Sequence, residues 1–213
     1  MTLHWEAAPS GMADLMTSLS STLATTDFYL AGGTALALLE GHRVSVDLDF
    51  FSASFDQPDG LLAMVENEHS AAKVTLVAPR TLYLEIDSIV VSFLGYRYPV
   101  VAPPLEPDAN LLPFASREDI AAMKLAAIAS RGSRKDFVDL WWLLSKYWSL
   151  TDSLKFFRTK FKTRDVGHVI RSLVYFDDAE SEPPLRLIAE VEWEAVKRDL
   201  RAWVSALVDS DET

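Results

Sequence analysis

The feature that most constrains this chain is a proline-rich segment near its middle, residues 99–113. It contains Pro103, Pro104 and Pro107. Proline lacks a backbone donor and restricts the residue before it, so this segment can form neither a regular helix nor a central strand. We therefore expect a linker here, with one domain over residues 1–105 and a second over residues 106–213.

The first half alternates short apolar runs with helical stretches, which is the pattern of an α/β domain. The predicted strands cover residues 28–31, 46–51, 73–77, 81–86 and 89–94. The predicted helices cover residues 11–25, 34–40 and 58–67. Asp87 and Ser88, between the last two strands, predict a tight hairpin turn.

Helical patterning dominates the second half. Serine-x-x-acid capping boxes, which start helices, occur at Ser116 with Asp119 and at Ser133 with Asp136. The predicted helices cover about residues 116–130, 133–149, 165–176 and 191–208. The expected fold class is α+β, with an N-terminal α/β domain that carries a small mixed sheet, followed by a C-terminal helical bundle.

Composition limits the compartment and the kind of metal. The 49% hydrophobic content suffices for a sizeable core, and no apolar run is long enough for a signal peptide or membrane span. We expect a cytoplasmic protein with no membrane partner. With no cysteine in the sequence, any metal must be held by oxygen ligands or by the four histidines, which favours hard ions such as magnesium.

The net charge of -11 argues against a protein that coats nucleic acid nonspecifically, because such binding depends on lysine and arginine. One local cluster stands out against this background. It comprises Lys155, Arg158, Lys160, Lys162 and Arg164. Taken alone, the cluster indicates a solvated helix face.

The motif with chemical meaning lies in residues 29–52, which read YLAGGTALALLEGHRVSVDLDFFS. Gly32 and Gly33 allow close approach of the backbone to a ligand, and donors at the following helix start can hold a phosphate, helped by the Thr34 hydroxyl. Asp47 and Asp49 lie two apart on a strand, so their carboxylates share one face and can share divalent cations. Together these residues predict a site for magnesium and a triphosphate.

The apolar neighbours of the two acids strengthen this interpretation. Phe50 and Phe51 extend an apolar strand, and Val46 and Leu48 flank the acids. We therefore expect the opposite face of the strand to pack in the core, which would fix the strand. Two like charges held so close repel each other, and a cation would neutralise them.

Residues 29–52 resemble the AbiEii/AbiGii toxin-like nucleotidyltransferases of the DNA polymerase beta-like superfamily. The match rests on the glycine-glycine-threonine start and on residues 43–51, with their arginine-x-serine-x-aspartate-x-aspartate-phenylalanine-phenylalanine core. It resumes at residues 116–144, SREDIAAMKLAAIASRGSRKDFVDLWWLL, which resemble the second signature of that family.

The resemblance implies a nucleotidyltransferase α/β domain and a magnesium-dependent enzyme. Such an enzyme transfers a nucleoside monophosphate from a nucleoside triphosphate to RNA (such as tRNA), a protein or a small molecule, and pyrophosphate leaves. The resemblance also implies a role as a toxin beside an antitoxin protein, which is frequent in this family. The implied nucleotide-binding residues of the first half are Gly32, Gly33, Thr34 and Ser45, and the implied metal ligands are Asp47 and Asp49.

The second signature adds candidate residues from the helical half. Lys124 is the only charged residue in the stretch 120–129 of an otherwise apolar helix. Arg131 lies seven residues on along the same face, so both could reach a triphosphate or a carboxylate of the first domain. A snorkelling lysine is the structural alternative. Asp139 could orient Lys124 or pair with Lys135, itself a candidate nucleotide contact, whereas Asp136 sits where the capping box needs an acid.

The third carboxylate usual in this superfamily has no clear position. The strand on which it is expected carries Ser92, and Glu85 or Asp87 are the substitutes nearby. Asp87 is better explained by the hairpin.

Two further hypotheses compete with an active nucleotidyltransferase. A catalytically impaired descendant would bind a nucleotide or a protein through the same cleft, and the missing third acid favours it. A phosphatase of the haloacid dehalogenase type, or a metal-dependent glycosyltransferase, is disfavoured because neither explains the glycine-threonine start.

Overall fold

The computed structural model describes residues 1–211 and has two compact units. One unit comprises Met1–Tyr98 and Pro103–Ala115, and the other comprises Pro99–Ala102 and the chain from Ser116 onwards. The chain therefore changes unit at the start of the proline-rich segment, again after Ala102 and a last time after Ala115. The division at residue 105 remains a prediction.

The first unit holds a sheet and three α-helices after a 3₁₀ turn at Trp5–Ala7. In chain order its elements are α1 (Met12–Thr22), β1 (Tyr29–Ala31), α2 (Gly32–Glu40), β2 (Asp47–Ser52), α3 (Pro58–Glu68), β3 (Lys73–Ala78), β4 (Thr81–Ile86) and β5 (Ile89–Gly95). All five predicted strands occur, each shifted by no more than a residue at either end.

The five strands form one mixed sheet in the order β1-β2-β5-β4-β3. β2 runs parallel to β5, and every other neighbouring pair is antiparallel. Side chains alternate between the two faces of a strand, so Leu48, Phe50, Val91 and Phe93 share one buried face. The two aspartates of β2 therefore lie on the other face.

The predicted hairpin between β4 and β5 is confirmed. Ile86 pairs with Ile89, which leaves a two-residue turn. Asp87 and Ser88 both have positive φ, at 51° and 66°. That combination is characteristic of the turn whose twist matches the two strands.

The second unit is helical over its described residues. Its elements are α4 (Arg117–Arg131), α5 (Arg134–Lys146), α6 (Leu150–Phe161), α7 (Gly167–Ser172), α8 (Asp177–Glu180) and α9 (Trp193–Asp211). Buried side chains of α4, α5, α6 and α9 form its core, among them Leu125, Phe137, Phe157 and Leu200. The α+β fold class predicted from the sequence is confirmed. Within residues 1–211, no helix is long and apolar enough to cross a membrane.

One capping box is confirmed and the other is not. The Ser116 hydroxyl accepts a hydrogen bond from the Asp119 backbone N–H at 3.1 Å, as the pattern requires. At α5 the Ser133 side chain makes no such bond; instead it donates to Glu182 Oε2, at 3.0 Å. The N–H of Arg134 donates to the same oxygen, so a residue distant in sequence caps α5.

Candidate active site

Asp47 and Asp49 lie on the face of β2 turned away from the sheet core, and both are partly exposed. Asp49 pairs across the sheet with Ala31 of β1 on one side and with Ser92 of β5 on the other. Because Ala31 directly precedes Gly32, the end of β1 delivers the glycine turn to the aspartates. The sequence motif thus becomes one spatial cluster.

The glycine pair packs tightly against residues of the same motif. Gly32 has φ +70°, and a Cβ added to it would lie 3.2 Å from Asp49 Oδ2. A Cβ at Gly33 would overlap the guanidinium of Arg43. Both positions therefore need glycine, one for its backbone conformation and close approach to a carboxylate, the other for space.

Thr34 joins the start of α2 to β2. Its hydroxyl donates to the backbone carbonyl of Asp47 and lies 2.8 Å from the Ser45 hydroxyl. Thr34 is buried, and its hydrogen bond holds the backbone of Asp47 in place. Its predicted contact with a phosphate remains a prediction, as does that of Ser45.

Arg43 belongs to this cluster and was missed as a site residue. Only 3% of it is exposed, and its guanidinium lies over Gly33 while Nη1 donates to the Val44 carbonyl at 3.1 Å. The signal that could have identified it is the requirement that a buried arginine have partners. An arginine that lies between the apolar α2 and the apolar β2 meets that description.

The structure places each candidate for the third carboxylate. Ser92 stands beside Asp49 in register. Glu85 shares the face of Asp47 but lies two strands away, about 10 Å at the usual strand spacing, and bonds Lys73 at 2.9 Å. Asp87 forms the hairpin turn. Neither acid therefore joins the pair.

The aspartate pair matches the way in which proteins usually bind magnesium. Within residues 1–211, no group of three or more acidic or histidine side chains comes together to hold a metal. Magnesium characteristically takes only one or two carboxylates and completes its shell with water and substrate phosphates. Two partly exposed hard oxygen donors beside a helix start fit that chemistry.

In the helical unit, Lys124 lies in a buried ion-pair cluster. Its Nζ is 2.8 Å from Asp136 Oδ1 and 2.6 Å from Asp139 Oδ2, and both carboxylates are fully buried. Arg131 donates to both oxygens of Asp136, at 2.7 and 3.0 Å, and its side chain is 57% exposed. Lys135, half-buried in the first turn of α5, forms no ion pair within residues 1–211.

Two cations and two anions make this cluster neutral, and it corrects one interpretation. Asp136 was assigned to helix capping, yet it binds Lys124 and Arg131. Burial raises the pKa of the Asp136 carboxyl, but the two cations outweigh burial and hold that pKa below its ordinary value. The predicted contacts of Lys124, Arg131 and Lys135 with a triphosphate, and the orienting role of Asp139, remain predictions.

Comparisons with known proteins identify the family of this chain. The sequence model of the family described as nucleotidyl transferase AbiEii toxin, type IV toxin–antitoxin system, matches residues 14–209. An uncharacterized protein of Aquifex aeolicus is 40% identical over 159 residues, which cover 73% of this chain and 77% of that protein.

A solved structure shows the same fold. MenT4, a nucleotidyltransferase toxin from Mycobacterium tuberculosis, is similar with a TM-score of 0.55 and 17% sequence identity, covering 90% of this chain and 82% of that one. The family match spans both units, from α1 to α9. The chain therefore belongs to the AbiEii nucleotidyl transferase toxin family, and it is a nucleotidyltransferase.

Proposed function

We propose that this protein transfers a nucleoside monophosphate from a nucleoside triphosphate to an acceptor hydroxyl, using magnesium held by Asp47 and Asp49. The observation that carries the proposal is the placement of this pair. Both carboxylates share the open face of β2, and Asp49 lies against Gly32, the first residue of α2. Carboxylates that bind a metal and backbone donors that bind a phosphate meet here, so a metal and a triphosphate can be held together.

The chain's own residues have separate tasks in this proposal. Asp47 and Asp49 bind the metal, which when bound neutralises phosphate charge and aligns the attacking and leaving oxygens. Gly32 and Gly33 let the triphosphate approach the start of α2. Thr34 holds Asp47 through its backbone carbonyl. A bond forms between the acceptor oxygen and the α-phosphorus, the bond from the α-phosphorus to the oxygen of the leaving pyrophosphate breaks, and the hydroxyl proton passes to solvent water.

The biological role follows the family. We propose that the protein acts as the toxin of a toxin–antitoxin pair, with an antitoxin protein as its partner. RNA such as tRNA, a protein and a small molecule all offer an acceptor hydroxyl.

Labelling tests the site directly. The protein is mixed with magnesium, each labelled nucleoside triphosphate and total RNA or protein extract, and transfer of label is measured with and without a chelator. Asp47→Asn should lower the rate on the order of a thousandfold, since it removes a ligand worth several kcal/mol of charge stabilisation. Glu66→Gln, an exposed carboxylate of the same unit on α3, is the matched control and should leave the rate unchanged.

Circular dichroism should show the same helix content and thermal transition in both variants. Full labelling by a folded Asp47→Asn protein would show that the site is assigned to the wrong residues.

A second candidate function is supported by one observation. Ser92, not an acid, stands beside Asp49 in the sheet. A catalytically impaired protein that only binds nucleotide would have this arrangement. It would bind the triphosphate in the presence of magnesium but release no pyrophosphate with any acceptor.

A further inference from the structure

The cations of this acidic chain are concentrated in one short stretch of the helical unit. Residues 155–171 contain six lysines and arginines and a single acid, Asp165, and so carry a formal charge of +5. The remainder of the chain carries -16. A segregation this strong produces a local positive field on a molecule that otherwise repels polyanions.

The structure divides these six cations by burial. Lys160 is fully buried, where its Nζ contacts both oxygens of Asp119 at 2.9 and 2.8 Å, so its charge is matched inside the unit. The other five are exposed, and we call them the α6–α7 cationic face. They are Lys155, Arg158, Lys162, Arg164 and Arg171.

Helix α6 presents part of this face as a stripe. Leu150, Leu154 and Phe157 are buried on one side, and Lys155, Arg158 and the C-capping Lys162 follow one another on the exposed side. At 1.5 Å per residue, the stripe from residue 155 to 162 is about 10 Å long. That length corresponds to about three nucleotides of a stacked strand, at about 3.4 Å each.

Most of the cationic face has its charge unmatched by the protein. Within residues 1–211, Arg158, Lys162, Arg164 and Arg171 form no ion pair. Lys155 alone is paired, with Asp152 at 2.8 Å, and Asp165 is engaged in accepting from the Gly167 backbone N–H. The helix macrodipoles favour cations near the end of α6 and account in the same way for Arg171, in the last turn of α7, but they do not account for Arg164, which lies between the two helices.

We propose that the α6–α7 cationic face binds the sugar–phosphate backbone of a nucleic acid. Resting on the proposed function, this names the acceptor as a nucleic acid rather than a protein or a small molecule. A membrane surface is the other large polyanion, but interfacial helices also insert apolar side chains. Of the described side chains in residues 150–172, none is an exposed large hydrophobic one.

Charge reversal tests the proposal in the full chain. Binding of labelled single-stranded polyuridylate and of duplex RNA is measured by fluorescence anisotropy between about 50 and 200 mM salt. Arg158→Glu and Arg164→Glu should each weaken binding about tenfold at the lower salt and reduce the salt dependence by roughly one phosphate contact.

The matched control is Arg186→Glu, which makes the same charge change at an exposed position of the same unit. It should leave RNA affinity within about twofold. Arg186 is not part of the cationic face, and salt screens its effect on the field at that face. Equal losses in all three variants would show that net charge alone governs binding and would overturn the proposal.

Two further arms separate this proposal from the proposed function. The Asp47→Asn protein should bind RNA with unchanged affinity; RNA binding without any labelling by the unaltered protein would refute the transferase activity alone. Labelling of RNA that is unaffected by Arg158→Glu would refute the cationic face alone. Binding to phosphatidylserine vesicles but not to RNA would replace the nucleic acid by a membrane.

Discussion

The two adjacent glycines show how single residues determine this site. Gly32 has a left-handed backbone and lies against Asp49, whereas Gly33 lies under the guanidinium of Arg43. The same atom, a Cβ, is therefore excluded for two different reasons. Glycine content alone does not show this, because Gly60 of α3 has open space around it.

Gly33→Ala should therefore destabilise the protein by about 1–3 kcal/mol, the usual cost of inserting an extra carbon into a packed place. Gly60→Ala should stabilise it by about 0.5–1 kcal/mol, since alanine is the better helix former. Urea unfolding followed by circular dichroism measures both free energies. Equal effects of the two substitutions would contradict the close contact at Gly33.

The buried cluster around Lys124 gives a second prediction for a single residue. Asp136→Asn removes a carboxylate that two cations stabilise, and should cost about 3–5 kcal/mol of unfolding free energy at neutral pH. The folded pKa of Asp136 lies below its unfolded value of 3.8, so its contribution is complete above that pH and is lost as pH falls further.

The difference in unfolding free energy between wild type and Asp136→Asn should consequently shrink below about pH 4. Denaturant titrations over an acid pH series measure it. Asp177→Asn, an exposed aspartate of the same unit, serves as control and should show no such difference. A penalty that grows on acidification would contradict the assigned direction of the pKa shift.

At the scale of elements, the start of α5 shows how a local pattern can be satisfied from elsewhere. A serine followed three residues later by an acid matches the capping box, and α5 begins where the pattern predicts. The bonds, however, come from Glu182, which accepts from the Ser133 hydroxyl and from the Arg134 N–H. Asp136 is thereby left to bind the two cations.

Glu182→Ala should lower the unfolding free energy by about 1–2 kcal/mol, the loss expected for a helix cap made by a charged acceptor. Hydrogen exchange should also rise selectively at the first amides of α5. Glu190→Ala removes an exposed acid nearby in sequence and is expected to change neither quantity by more than about 0.5 kcal/mol. Unchanged exchange at α5 in the Glu182 variant would mean that Ser133 caps the helix alone.

At the scale of the whole molecule, one buried ion pair binds residues 99–102, the first part of the proline-rich segment, to the helices of their unit. Asp119 of α4 accepts from the Val101 N–H at 2.8 Å, and Lys160 of α6 donates to the Pro99 carbonyl at 3.3 Å as well as to Asp119. Residues 99–102 are thus held to the helices by two side chains that also pair with each other.

Lys160→Met should cost about 3–5 kcal/mol, because it leaves the buried Asp119 charge without its cation. The double variant Lys160→Met/Asp119→Leu should recover most of that loss, since apolar replacement of a whole buried pair is often neutral. Lys155→Met makes the same change at an exposed position of α6 and is the control. A double variant less stable than Lys160→Met alone would contradict this account.

Sequence by itself determined the fold class, the five strands and the pairing of the glycine turn with Asp47 and Asp49. These follow from period-2 and period-3.6 patterning and from a motif whose parts are close along the chain. The basic cluster of residues 155–164 was also evident, but the sequence did not distinguish Lys160 from the other four cations.

Only the tertiary structure decided which charged side chains form ion pairs inside the protein. It buried Lys160 on Asp119 and Lys124 on Asp136 and Asp139, and it put Ser92 rather than Glu85 beside Asp49. Burial and ion pairing depend on residues that are distant in sequence, and strand order determines which side chains are neighbours. The local pattern of the chain contains neither, so the closeness of Asp47 and Asp49 to the glycine turn was predictable while the charged surroundings were not.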